Sequence, residues 1–236
     1  MLVDLHAHSS EISKCCLLDI RGVLNEAKNL NIDGIVLTNH YRSSYVTNGD
    51  EIKFAKEYVQ AYYNAVEVSK EMGVKLFFGI EVTYEKQPYL HYLIYGVDTD
   101  FPIKNPTLYS MSQQQLYETV KEAGGILIQA HPFRYFQKVQ DIRYLDGVEI
   151  SCHPLYGNSY SNELYNIAKE NNLALTCGGD YHADTYRPYC GMYLPSDTKN
   201  THDIAKHIID SKKVRLCIQE PNCATYYDLE YERKDK

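Results

Sequence analysis

The sequence predicts an α/β protein, a single TIM-like barrel domain spanning residues 1–236. Three observations predict it. Short apolar runs alternate with amphipathic segments along the chain, giving about seven strand-then-helix units. No Pro/Ser-rich linker or low-complexity tract divides the chain. Histidines and carboxylates recur just past the apolar runs, where a parallel barrel builds its site.

The elements follow in order. "LVDL" reads as a strand. Ile20, Val23, Leu24, Ala27 and Leu30 fall at helical spacing, with Asp19 placed to cap the start. "GIVLT" (34–38) is continuously apolar, as a strand buried on both faces should be. Residues 50–72 read as a helix ending before Gly73. "KLFFGIEVT" reads as one strand and "HYLIYGV" as the next. A helix over 112–123 stops at Gly124-Gly125, and "ILIQA" follows as a strand. "GVEIS" (147–151) and "LALTC" (173–177) are strands, with a helix at 160–171 between them. "DIAKHIID" (203–210) is helical and "KVRLCI" the last strand. The charged tail, about 229–236, is expected to fray. Composition assigns no role to the 23 tyrosines.

Composition narrows the classes. The 44% hydrophobic and 23% charged residues are those of an ordinary globular protein. No apolar run of about 18 residues and no secretory signal is visible, so no membrane association and a cytoplasmic location are expected. A net charge of −7 with scattered Lys and Arg argues against a nucleic-acid partner. The seven cysteines, at 15, 16, 152, 177, 190, 217 and 223, form no CxxC pair and are expected as reduced thiols, several of them buried. Ala183 stands where a cysteine-based phosphatase using Cys177 would need arginine.

The histidines carry the signal. His6 and His8 follow the first strand, His40 the second, His131 "ILIQA" and His153 "GVEIS". Glu81 lies near the end of the third strand, and His91 opens the next. Asp180 and His182 follow "LALTC". In His6-Ala-His8, alternate side chains of an extended segment point the same way, so both imidazoles can hold one ion. Imidazole and carboxylate suit Zn, Fe or Mn. His202 and His207 fall on a predicted helix, as surface residues.

"VDLHAHSS", "GIVLTNH", "GIEVT", "HYLIYG", "ILIQAHPFR" and "CGGDYHAD" together resemble, in order, the PHP domain of the polymerase and histidinol phosphatase family, from residue 3 to about 184. The resemblance implies a distorted (β/α)7 barrel, a trinuclear centre of two to three divalent ions, and phosphoesterase chemistry. It implies that His6, His8 and Asp180 bind the first metal, and that Glu81 bridges the first and third. His91 and His131 would complete the third; His40 and His182 would bind the second. The loop "SSEISKCC" offers no histidine or aspartate for the second metal, leaving Glu11 as the candidate and Cys15 as the alternative. His153 stands where the family often has asparagine; an extra ligand, a phosphate contact, a leaving-group acid or a non-ligand role are all open.

The chain shows no Ser-His-Asp arrangement, so the expected nucleophile is a metal-bound hydroxide held by His6, His8, Glu81 and Asp180. Arg134 is placed to clamp a phosphate, with Arg42 and Arg187 as weaker candidates. "YRSSYVTNGD" and "HPLYGNSY" are expected to wall the pocket. The leading reading is hydrolysis of a small phosphorylated metabolite, histidinol phosphate or another sugar, nucleotide or amino-alcohol phosphate. Two others stand beside it. An amidohydrolase or metal-dependent nuclease shares HxH, but no lysine sits at a suitable strand end to bridge metals and no basic surface is evident. A catalytically silent metal-binding domain would not need eight of nine expected ligands. Oligomeric state is open.

Overall fold

The computed structural model describes residues 1–85, 87, 90–155 and 161–234. Its strands form two six-stranded mixed sheets with interspersed helices, a distorted TIM-barrel-like architecture.

The first sheet is centred on β1 (Leu2–Ala7) and β2 (Gly34–Leu37), which pair in parallel. Between them runs α1 (Ile20–Asn29), whose apolar stripe buries Ile20, Val23, Leu24 and Ala27. Asp19 caps it by accepting from the Gly22 N–H, a contact that contributes about 1 kcal/mol. The chain then switches sheets. β2 leads directly into β3 (His40–Tyr41), which belongs to the second sheet. The long helix α2 (Glu51–Met72), capped by Asp50, ends at Gly73, whose φ of 71° suits the left-handed helix stop.

The expected single strand "KLFFGIEVT" is two strands. β4 (Lys75–Phe78) pairs with β2, and β5 (Ile80–Thr83) pairs with β3, so the chain changes sheets at Gly79. A Cβ at Gly79 would lie 2.7 Å from Val36 Cγ1, so the crossing needs glycine.

The second sheet continues through β6 (His91–Tyr95), β7 (Ile126–Gln129), β8 (Gly147–Ser151) and β9 (Ala174–Gly178). The short α3 (Phe101–Lys104) and α4 (Gln113–Glu122) lie between β6 and β7, and α5 (Ser161–Asn171) between β8 and β9. The expected mostly parallel sheet is corrected here: β6 runs antiparallel to both β5 and β7. β10 (Gly191–Tyr193) then pairs antiparallel with β1. After α6 (Thr201–Asp210) come β11 (Lys213–Ile218) and β12 (Tyr227–Glu232).

β12 also corrects the frayed tail. In "YDLEYE" alternate residues face inward, so Leu229 is half-buried and Tyr231 buried. Lys213–Glu230 and Arg215–Asp228 pairs cross to β11, keeping this edge charged. Residues 235–236 of the tail lie outside the described residues.

One apolar core joins both sheets, from Leu5 and Val36 to Ile80, Leu93, Ile128 and Val148. The tyrosines find a role there. Tyr58, Tyr95 and Tyr231 bury their rings and donate to the backbone carbonyls of Asn39, Leu5 and Leu173 at 2.6, 2.8 and 2.6 Å. At one end a parallel bridge, Ala7–Tyr181, brings the segment after β9 against β1, with His8 N donating to Tyr181 O at 3.1 Å. Among the described residues no helix is long and apolar enough to cross a membrane.

Candidate metal centre

β1, β3, β5 and the turns after β7 and β9 bring His6, His8, His40, Glu81, His91, His131, Asp180 and His182 to one rim, all buried. His91 opens its strand rather than ending one. Because β6 runs antiparallel, its start lies beside Thr83 at the end of β5. Three overlapping groups result: His6, His8, Glu81 and Asp180; His8, His40 and His182; His40, Glu81 and His91. Within each, the donor atoms lie within 4.8 Å of one another. His131 Nε2 is 3.3 Å from Glu81 Oε1.

The spacings suit coordination. His6 and His8 face each other with Nε2 atoms 3.1 Å apart, and His40 and His182 at 3.3 Å. Two imidazoles on one ion, each about 2.0–2.1 Å from it, would stand roughly 2.9–3.4 Å apart. Glu81 Oε2 lies 2.5 Å from His40 Nδ1 and 3.5 Å from His8 Nε2, and the buried His131 Nδ1 has no hydrogen-bond partner among the described residues, a costly state for a group that does not serve as a ligand. These residues fit a multi-metal site.

Neighbouring groups hold the rings. His6 Nδ1 donates to Glu149 Oε1 at 2.9 Å, which turns Nε2 toward the centre. His8 Nδ1 lies 3.1 Å from Ser13 Oγ, and His40 Nδ1 lies 3.1 Å from Thr83 Oγ1. His182 Nδ1 donates to the Asp180 carbonyl at 2.8 Å. Asn39 Oδ1 accepts from Ser9 N and Ser13 Oγ, tying the loop after β1 to the end of β2. Gly178 permits the close approach of β9: a Cβ there would meet His6 Cβ at 2.5 Å and Glu149 Oε1 at 2.8 Å. His131 and Asp180 adopt positive φ, 29° and 48°, storing on the order of 1 kcal/mol or more each at the site.

The charges are strongly coupled. Burial alone would raise the carboxyl of Glu81, but His91, His40 and His6 hold it well below the carboxylate range. Asp180 is likewise held low against burial by His6, Arg134 and His182. Burial, with nearby Arg134 and His91, drives His131 down to about 3, a neutral imidazole free to ligate. His40 is opposed by burial yet raised to about 9 by Glu81 and Cys15.

Two of the expected site residues lie apart from the donor groups and the pocket. Glu11 is in none of these groups; its Oε1 accepts from Ile20 N at 2.9 Å at the start of α1. Its loop turns the side chain toward the open helix end. Cys15, an exposed residue, instead lines the pocket and faces His40 and His182. Burial opposes its ionisation, but hydrogen bonds with His182 and His40 bring the thiol down to about 6. Arg187 does not reach the pocket. It is fully buried in an ion pair with Asp4, Nη2 to Oδ2 2.6 Å, because β10 folds back onto β1.

The remaining expected contacts, Arg42, Arg134 and His153, line a pocket of about 390 Å³ above the histidines, together with Tyr84 and Asp184. Arg134 hydrogen-bonds Asp180 through Nη1. Arg42 pairs with Glu85 through two contacts of 2.8 and 2.7 Å. His153 is in none of the donor groups among the described residues; its Nδ1 accepts from Leu155 N and its Nε2 lies 3.3 Å from Asp184. From "YRSSYVTNGD", Arg42 lines the pocket; residues 156–160 of "HPLYGNSY" lie outside the described residues. Sequence reading missed Glu149, Ser13, Asn39, Thr83 and Asp4. The one available signal was an acidic residue inside the buried run "GVEIS".

No family model and no curated protein matches the chain by sequence. Solved structures match its fold. A two-domain protein from Bacteroides vulgatus containing a predicted PHP-like metal-dependent phosphoesterase has a TM-score of 0.63 at 14% identity, covering 100% of this chain and 84% of that one. A candidate metal-dependent phosphoesterase from Bifidobacterium adolescentis has 0.56 at 15% identity, covering 88% and 95%. PsfC from Pseudomonas syringae has 0.56 at 17% identity, covering 86% and 87%. The chain therefore shares the fold of these structures, and it clusters buried donors able to hold several metal ions.

Proposed function

We propose that the chain is a metal-dependent hydrolase of phosphate monoesters, acting on a small phosphorylated metabolite. The observation that carries this reading is the convergence of eight buried imidazole and carboxylate donors beneath a pocket that also holds Arg134. The likeness to PHP-like structures supports it.

In this reading His6, His8, Glu81 and Asp180 form the first site, His40 and His182 the second with Cys15, and His91 and His131 the third with Glu81. Divalent ions bound there would supply activation of water near neutral pH and neutralisation of charge developing on the phosphate. Glu149 orients His6 through Nδ1 and steadies the His131 backbone through His131 N at 3.0 Å. Arg134, poised over Asp180, contacts a phosphate oxygen in the pocket and turns the ester toward the histidines. His153, buried with Nε2 near Asp184, is placed to move a proton to the leaving oxygen.

The test is elemental analysis of the purified protein, followed by phosphate release from a broad panel of monoesters with and without chelator. Two to three ions per chain and release abolished by chelation are expected. A metal-loaded protein that releases phosphate from none of the panel would overturn the reading, in favour of diester hydrolysis or a silent domain.

A further inference from the structure

Away from the histidine rim, three cysteines meet in the core. Cys152 follows β8, Cys177 lies in β9, and Cys190 precedes β10. All three are essentially without solvent exposure, and their sulfurs lie within 4.8 Å of one another. Cys152 Sγ and Cys177 Sγ are 3.5 Å apart. Cys16 Sγ donates to the His8 carbonyl and Cys217 Sγ to the Tyr189 carbonyl, and neither belongs to a sulfur group among the described residues; Cys177 Sγ also donates to a carbonyl, that of Cys217, at 3.3 Å.

From this geometry we propose that Cys152, Cys177 and Cys190 form a separate all-sulfur site for one thiophilic divalent cation of the zinc type. Sulfurs about 2.3 Å from a zinc ion stand roughly 3.8–4.0 Å apart, a spacing that lies between the 3.5 Å Cys152–Cys177 edge and the 4.8 Å within which all three sulfurs fall. Soft thiolates select such an ion over the harder cations that suit carboxylate and imidazole. The Cys217 carbonyl, 3.3 Å from Cys177 Sγ, is a neutral oxygen beside the triangle. Binding releases three thiol protons to solvent, changes no oxidation state, and leaves one net negative charge on the ion with its three thiolates.

The location defines a role. The cysteines come from the loop after β8, from β9 and from the segment before β10. The last two bracket the turn that carries Asp180 and His182. The Asp4–Arg187 pair lies alongside: a Cβ on Gly179 would meet both Asp4 Oδ2 and Cys190 Sγ. An ion here would staple that turn to the sheet from beneath, without touching substrate. The proposal is independent of the hydrolase reading.

The test uses full-length Cys15→Ser protein, which removes the thiol that lines the histidine pocket. With Co2+ as the probe, a near-ultraviolet sulfur-to-cobalt charge-transfer band is expected, saturating at one ion per chain. With Zn2+, X-ray absorption should show sulfur neighbours at about 2.3 Å. Adding Cys190→Ser should abolish the band while the histidine centre still takes up metal. If that double variant does not fold, the band and the sulfur shell of the Cys15→Ser protein decide. Folded, metal-loaded Cys15→Ser protein with neither signal overturns the proposal, and so does a Cys152–Cys177 disulfide found by mass spectrometry.

Discussion

Glu149 holds His6 by its ring: the Nδ1–Oε1 distance is 2.9 Å, and both side chains are fully buried. The second carboxylate oxygen accepts from His131 N at 3.0 Å. One residue beneath the centre thus orients donors from two distant strands.

Glu149→Gln should weaken metal binding about 10–100-fold with the fold retained. The carboxylate accepts at both oxygens, whereas an amide must point its NH2 at one of two N–H donors. Metal affinity by competition with a chelator, beside circular dichroism, checks this. Unchanged affinity would show that His6 needs no such support.

His131→Ala should lose metal and hydrolytic activity together. Its Nε2 faces Glu81 and its imidazole is neutral at ordinary pH. Elemental analysis and activity on the same sample are the measurements. Full activity in the variant would remove His131 from the centre.

Arg134→Ala should raise KM, or lower kcat, at unchanged metal content. The side chain lines the pocket and reaches Asp180. Normal kinetics would reduce its role to steadying Asp180.

Arg187→Ala should behave in the opposite way. The Asp4–Arg187 pair is fully buried, and removing one partner strands the other, at a cost of about 3–5 kcal/mol. Denaturant unfolding should show that loss, while KM of the surviving folded protein stays near the parent value. A selective rise in KM would restore Arg187 to the substrate.

Acid should expose the Arg42–Glu85 pair. The hydrogen bond from Arg42 brings the Glu85 carboxyl down to about 2. An unfolded glutamate titrates near about 4.3. The pair's contribution is therefore present above that value and fades as pH falls toward 2. Both side chains are part-exposed, so the contribution is under about 1 kcal/mol. The difference in Tm between the parent and Glu85→Gln should be present at pH 7 and shrink at pH 3. A difference that does not change with pH would mean that the pair contributes nothing.

By itself, the sequence determined most of the longer elements and the histidines that accompany them, while the short β3, α3 and β10 were not legible in it. The periodicities of α1, α2 and α4, the Asp19 cap and the Gly73 stop are local, because short-range sterics and backbone hydrogen bonds set them. The spacing of His6 and His8, and the placing of His40, His131 and His182 after apolar runs, were equally legible. Tertiary structure decided the rest. Only strand pairing shows that "KLFFGIEVT" breaks at Gly79, that β6 runs antiparallel, and that the tail forms β12. Only the tertiary structure brings Glu11 to a helix end, Cys15 to the histidines and Arg187 to Asp4, the last because a buried guanidinium needs a charged partner. The convergence of Glu149, Ser13 and Thr83 behind the donors, and of Cys152, Cys177 and Cys190 beneath them, depends on contacts between residues far apart in the chain, which no local pattern encodes.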